Sequence, residues 1–347
     1  MIRRLLAAVL GLTLAGVLTA GCSRPGVADG AWVDEEVTFV ADGLTLHGTY
    51  RHLPGQAGEP AALLISESGA TDRNGDNNVA GPIGNMRQLA EYLSDHRVAT
   101  LRYDKVGTGA TGLGPYQDRP ADVGSAVYTA GARAATRFLA AQPGTDTSRI
   151  SVYALGEGGV HAMSLAGDTS AGAVRIHSLA LLQPLAGRYL DLIGSRVGGE
   201  MAAAVRNGTK NRQQADRVLA DWAAAVAEIR STGSVPATLP GGLSAIVNPA
   251  NVKAVAEADA IDPLDLAARV PVGTPVLLTC SDSDGQASCT GMAPLARALA
   301  HTDLDFVELT GVNHVLRDDP TDNVANYATT GPLSRQLLDA LDRFATQ

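Results

Sequence analysis

The sequence predicts a doubly wound α/β domain, a mostly parallel sheet covered on both faces, carrying a helical cap insertion. Two observations carry this. Continuous apolar runs of strand length alternate with segments of helical periodicity. One long stretch, 187–260, breaks that alternation with helical patterns and glycine-rich turns but no strand. In order, segments 37–40 and 44–50 form an opening hairpin around the Asp42-Gly43 turn. Strands follow at 61–66, 98–103, 150–155, 176–182, 275–279 and 304–309, and their unbroken apolar character suits burial on both faces. Helices lie near 86–93, 125–139, 159–165 and 292–300. Leu333, Leu337, Leu341 and Phe344 repeat at helical spacing and give a closing helix after Pro332. In the cap, Val218, Trp222, Val226 and Ile229 share one helix face, which is expected to pack against the main domain. An insertion at this point hangs over the carboxyl ends of the strands, where open α/β sheets bind ligands.

The N-terminus predicts export. Arg3 and Arg4 precede an apolar run, 5–17, that ends in Leu18-Thr19-Ala20-Gly21-Cys22. This is the pattern of a signal peptide over 1–21, and its end resembles a bacterial lipobox in which Cys22 becomes lipidated. Cleavage without lipidation and an uncleaved tether are the alternatives. The expected partner is the lipid bilayer, reached through Cys22 and a short Gly/Pro-containing tether over 22–30, with the domain of 31–347 on the extracytoplasmic face. Removing Met1 to Gly21 takes two of the 27 basic residues and none of the 36 acidic ones, so the net charge falls from −9 to about −11. Nucleic acid is thereby disfavoured as a partner.

With Cys22 assigned to lipid, Cys280 and Cys289 remain, and an oxidising compartment lets them pair; two buried thiols are the alternative. No metal site is expected, because no further His or Cys stands at a fitting spacing. Asp72, Asn74 and Asp76 have the first spacings of a calcium loop, but Asn77 replaces its turn glycine and Ile83 its bidentate glutamate, so a turn is expected. Gly107-Thr108-Gly109 lacks the Gly-Lys-Ser that would make it a phosphate cradle. No cofactor is implied.

Five segments in order carry a family resemblance. Residues 65–75, ISESGATDRNG, resemble the "GSGPTDRDG" loop of bacterial carboxylesterase and dienelactone-hydrolase-like α/β hydrolases. Residues 102–109, RYDKVGTG, are similar to their "RYDKRGxG" loop. Asp262-Pro263-Leu264 with the strand from Thr274 resembles the approach to the acid, and Gly311-Val312-Asn313-His314 their histidine loop. Residues 152–159, VYALGEGG, align with an elbow of the form "GHSEGG". The resemblance implies an α/β-hydrolase fold and a nucleophile, acid, histidine order.

In that alignment Gly156 takes the place of the serine nucleophile, Asp284 is the acid and His314 the histidine, with Asp282 as the competing acid. Glycine adopts the strained turn of an elbow without steric cost, so the turn survives without its hydroxyl. The implied oxyanion donors are the backbone of Glu157 and the Glu67–Ser68 turn. Glu67 itself departs from the family's glycine; aimed inward it would repel an oxyanion, and otherwise it faces solvent or an arginine. A displaced nucleophile would have to be Glu157 in a shifted elbow, or Ser68 or Thr71 from the opposite loop. The function expected is therefore a cell-envelope lipoprotein, non-hydrolytic or weakly active, binding a small acyl, lipid, peptide or cell-wall ligand. The alternative is an acyl hydrolase using Asp284 and His314 with a displaced nucleophile or an activated water.

Overall fold

Asp42 and Gly43 both take positive φ, 48° and 81°, as a tight hairpin turn demands, so the domain opens with β1 (Val33–Ala41) paired antiparallel to β2 (Leu44–His52). The structure, a computed structural model, describes residues 31–329 and 331–345. The signal segment and Cys22 lie outside the described residues. The remaining strands are β3 (Glu59–Ile65), β4 (Ala99–Tyr103), β5 (Thr145–Leu155), β6 (Ser178–Leu182), β7 (Pro275–Ser281) and β8 (Asp303–Leu309). They form one eight-stranded sheet in the order β1-β2-β4-β3-β5-β6-β7-β8. β2 meets β4 antiparallel and every later pairing is parallel.

Because side chains alternate across a strand, the apolar runs feed two cores at once. Leu63, Leu101, Val152, Leu181 and Leu278 face one side, under α2 (Ser125–Ala140), α3 (Gly158–Ala166) and α8 (Cys289–Ala298). Leu64, Tyr153, Leu182 and Leu277 face the other, under α1 (Asn85–Asp95) and α9 (Arg335–Ala345). The sheet is thus doubly wound, and this is the α/β-hydrolase fold.

Boundaries depart from the sequence expectation where hydrophobicity is silent. β5 begins at Thr145, because Asp146 to Arg149 are polar and largely exposed yet still extended. The closing helix begins at Arg335, and Leu333 is buried ahead of it rather than on it.

Between β6 and β7 the described residues form α4 (Tyr189–Arg206), α5 (Arg212–Thr232), α6 (Val252–Ala260) and the short α7 (Pro263–Ala267). Asn211 and Gln214 form a reciprocal capping box that starts α5, and Gly233 in the left-handed conformation ends it. The face bearing Val218, Trp222 and Ile229 does not pack against the sheet domain. It joins Leu190, Val197, Leu243, Val247 and Val255 in a core built wholly from the insertion. An amphipathic stripe says that a helix buries one face and leaves open against what. Asp259 locks this core, accepting from the Leu190 amide at 2.9 Å and pairing with Arg188 at 3.0 Å and Arg230 at 2.8 Å. Among the described residues no helix is long and apolar enough to cross a membrane.

Candidate functional site

The parallel strands β3, β5, β7 and β8 deliver four loops to one edge of the sheet, and the polar groups meet there. β5 ends at Leu155 and α3 begins at Gly158, leaving two residues for a reversal from strand to helix. Gly156 makes it with φ of +55°, in the left-handed region that costs a non-glycine residue roughly 1–2 kcal/mol. Its amide donates to the Leu182 carbonyl of β6 at 3.2 Å, which fixes the turn against the sheet. Glu157 is the N-cap of α3. The close crossing beneath also needs Gly158, where a Cβ would lie 2.8 Å from the Ile65 carbonyl oxygen.

Across from this turn, β3 ends at Ile65 and the chain continues through Ser66 to Glu67. The Glu67 side chain points inward. A Cβ built on Gly156 would fall 1.5 Å from Glu67 Oε2, well inside van der Waals contact. The glutamate carboxylate therefore fills the volume a side chain at 156 would need. Its Oε2 lies 2.8 Å from His314 Nε2, and its Oε1 accepts from the Ser68 amide at 2.6 Å.

His314 and Asp284 are both 2 % exposed. Asp284 Oδ2 lies 2.8 Å from His314 Nδ1, while Oδ1 accepts the Gln286 and Ala287 amides at 2.7 and 3.1 Å. Asp282, the competing acid, turns away: its Oδ1 accepts the Gly311 amide at 2.8 Å and the Ser283 hydroxyl at 2.9 Å. Cys280 and Cys289 form a disulfide, Cα to Cα 4.9 Å, that ties the end of β7 to the start of α8 and closes the loop carrying Asp284. The imidazole thus sits between two carboxylates.

That sandwich decides the charge state. Burial alone disfavours an imidazolium, but the facing charges of Asp284 and Glu67 and their hydrogen bonds raise the His314 pKa well above the ordinary histidine value. Burial likewise pushes the Glu67 carboxyl upward, and the His314 charge with the hydrogen bonds from His314 and Ser68 overrides it, bringing the carboxyl down to about 2. Both shifts act in the same sense, favouring an imidazolium that faces the Glu67 carboxylate.

Beneath it lies a second polar layer. Lys105 is 3 % exposed; its ammonium donates to the Glu67 carbonyl and sits 5.6 Å from the centre of the Tyr128 ring. Burial lowers the Lys105 pKa against the opposing attraction of Glu157 and Glu67. Glu157 is raised, first by burial and then by Glu67, with Lys105 opposing. Asp104 couples the two motif loops. It accepts the Arg73 amide at 2.9 Å and the Ala110 amide at 2.8 Å, and Arg102 bonds Asn74 beside it. Asp72 accepts the Asn74 and Asp76 amides, closing a turn.

Of the other hydroxyls, Ser68 lines the cavity and its side chain bonds Glu67, whereas Thr71 is engaged elsewhere and Ser151 is distant. Thr71 Oγ1 donates to the Ser68 carbonyl at 2.8 Å. Ser151 lies inside β5, roughly 16 Å along the strand from the turn, and shares a hydrogen with Ser178 at 2.7 Å.

A cavity of about 270 Å³ opens onto Glu67 and His314, with Val79, Ile83, Val315 and Tyr327 among its walls. Its walls come from the loops after β3, β7 and β8, with Leu155 at the end of β5; no residue of the 187–260 insertion lines it. Sequence reasoning missed the far wall. Asp322 accepts the His314 amide at 3.0 Å and the Tyr327 hydroxyl at 2.6 Å, and buried Arg317 donates to the Tyr327 carbonyl at 2.6 Å. These residues lie in a long aperiodic loop; the conspicuous signal was a charged residue, Arg317, close behind the histidine.

No protein-family model matches the chain, and no curated protein matches it by sequence. Solved structures do. An esterase from Pyrococcus furiosus aligns with a TM-score of 0.53 and 13 % identity over 91 % of this chain and 90 % of its own. Est1E from Butyrivibrio proteoclasticus aligns at 0.52 and 15 %, covering 90 % and 97 %. A dienelactone hydrolase from Anabaena variabilis aligns at 0.50 and 14 %, covering 91 % and 97 %. At such identities the likeness is one of fold.

Proposed function

We propose that this α/β-hydrolase-fold chain is an exported, lipid-anchored pocket protein that does not perform serine-type ester hydrolysis. It binds a small ligand with an apolar body and a hydrogen-bonding head, of the acyl, lipid, peptide or cell-wall kind. The single observation that carries this is Glu67. Its carboxylate lies in the space of a side chain at 156 and holds the imidazole nitrogen that a serine hydroxyl would use. Gly156 supplies no hydroxyl. Loss of the catalytic serine in a studied protease lowers turnover about a millionfold. A protonated His314 also has no free lone pair to accept a proton from a nucleophile.

The cavity supports the ligand reading: apolar walls from Val79, Ile83 and Val315 meet a charged end at Glu67 and His314. The N-terminal pattern ending at Cys22 supports the envelope address. The test is a short-chain acyl ester assay on the wild-type protein beside His314→Ala, with a thermal-shift screen of envelope lipids, fatty amides and peptides. The reading expects ester turnover no faster than in His314→Ala, and a ligand that raises the melting temperature. Turnover at rates typical of serine esterases that His314→Ala abolishes would refute it.

A further inference from the structure

We propose that Glu67 is itself a nucleophile toward ligands bearing a saturated electrophilic carbon, an epoxide or an alkyl halide, forming an ester that His314 and Asp284 then hydrolyse. This rests on the pocket reading above and adds a covalent step to it. Three features point to it. Glu67 Oε2 occupies the nucleophile's volume at the elbow, and Glu67 lines a cavity with apolar walls. His314 Nε2 touches that same oxygen at 2.8 Å, with Asp284 orienting the ring from behind at 2.8 Å. The Ser68 amide donates to the other oxygen, Oε1, at 2.6 Å.

The class of substrate follows from the chemistry of a carboxylate. Attack on an acyl carbon would leave an anhydride, more reactive than the ester it came from. Displacement at a saturated carbon leaves an ordinary alkyl ester, so the first step runs downhill when the leaving group is good. In that step Oε2 forms a bond to the carbon on one face, and the bond from carbon to the leaving atom breaks on the opposite face with its electron pair going to that atom. A halide leaves as the anion and an epoxide oxygen takes its proton from solvent, while His314, no longer facing the Glu67 charge, releases its Nε2 proton to solvent. Glu67 is now a neutral ester and His314 a neutral base.

In the second step Nε2 takes a proton from water as the oxygen attacks Glu67 Cδ. The negative charge then develops on Oε1, where the Ser68 amide already donates. Collapse breaks the bond between Cδ and Oε2, now the alcohol's oxygen, which takes the proton back from Nε2. The new carboxylic acid gives its own proton to His314, restoring the resting ion pair. The sum is an alkyl halide plus water giving an alcohol, a halide ion and a proton, or an epoxide plus water giving a diol.

The test incubates the wild-type, Glu67→Gln and His314→Phe proteins with epoxyhexane and bromohexane and reads intact and peptide mass. The expected result is an adduct on the peptide containing Glu67, absent in Glu67→Gln. In His314→Phe its hydrolysis slows by about a hundredfold or more, the usual worth of a general base. Because that variant removes a buried ion pair, the wild type is also run for one turnover in heavy-oxygen water. The mechanism places heavy oxygen in the Glu67 carboxylate and none in the first alcohol released. Heavy oxygen in that alcohol, an adduct on another residue, or no adduct and no turnover overturns the proposal. Hexanamide and hexanol are melted alongside: a thermal shift from these without any adduct removes the covalent step alone, and neither shift nor adduct removes the pocket reading as well.

Discussion

Restoring the hydroxyl at the elbow is expected to damage the protein before it restores chemistry. A serine at 156 must adopt φ near +55°, which costs about 1 kcal/mol over glycine. Its Cβ would sit 1.5 Å from Glu67 Oε2, so the carboxylate must leave and the pair with His314 breaks. Breaking a fully buried ion pair costs roughly 3–5 kcal/mol. The Glu67 side chain is 18 % exposed and recovers some hydration when displaced, so about 2 kcal/mol is the share assigned here. Gly156→Ser should therefore destabilise by about 3 kcal/mol, a fall in melting temperature of about 6 °C for a domain of this size. Glu67→Ala alone loses the pair, about 2 kcal/mol, and the double variant adds only the backbone strain. The double-mutant cycle should thus show about 2 kcal/mol of coupling. Melting curves of the four proteins measure it, and a serine-directed fluorophosphonate gives a second readout, with fast labelling only in Glu67→Ala/Gly156→Ser. Additive stabilities, or labelling of Gly156→Ser as fast as the double variant, would refute the claim that the two residues share one volume.

Other consequences are equally open to measurement. The Glu67 carboxyl falls from 4.5 to about 2 on folding, so it contributes stability present above pH 4.5 and lost as pH falls toward 2. The His314 contribution runs the other way, full below pH 6.5 and lost as pH rises through its elevated value; in acid and base melts Glu67→Gln should lack the acid-side contribution and lose only part of the base-side one, because Asp284 still faces the ring. Opening the bridge by Cys280→Ser, which spans nine residues, should cost about 2–3 kcal/mol in a denaturant titration under oxidising conditions. Asp259→Ala should expose the insertion, 190–255, to limited proteolysis well before the sheet domain, because it unpairs Arg188 and Arg230 around a separate core.

The sheet was legible because a strand buried on both faces must be apolar throughout, as runs such as 61–66 and 150–155 largely are. The turn at Gly156 was legible for a similar reason, since the glycine-rich run after a buried strand answers a tight reversal. The direction of Glu67 was not. A motif places a residue on a loop and leaves its rotamer undefined, so inward and outward carboxylates read alike. The signal lay in the pair: a side chain lost at 156 and one gained at 67 are complementary in volume, and each departure explains the other. The cap face of Trp222 was misdirected because hydrophobic periodicity does not name its partner. Asp322 and Tyr327 had no periodicity to mark them.

The central claim is that a glutamate stands in for the missing nucleophile and holds the imidazole charged. Nitrogen NMR of His314 at neutral pH tests it most directly. The account predicts both ring nitrogens protonated in the wild type, and a shift toward the neutral ring in Glu67→Gln. A wild-type imidazole that is neutral at that pH and unmoved by the substitution would contradict it.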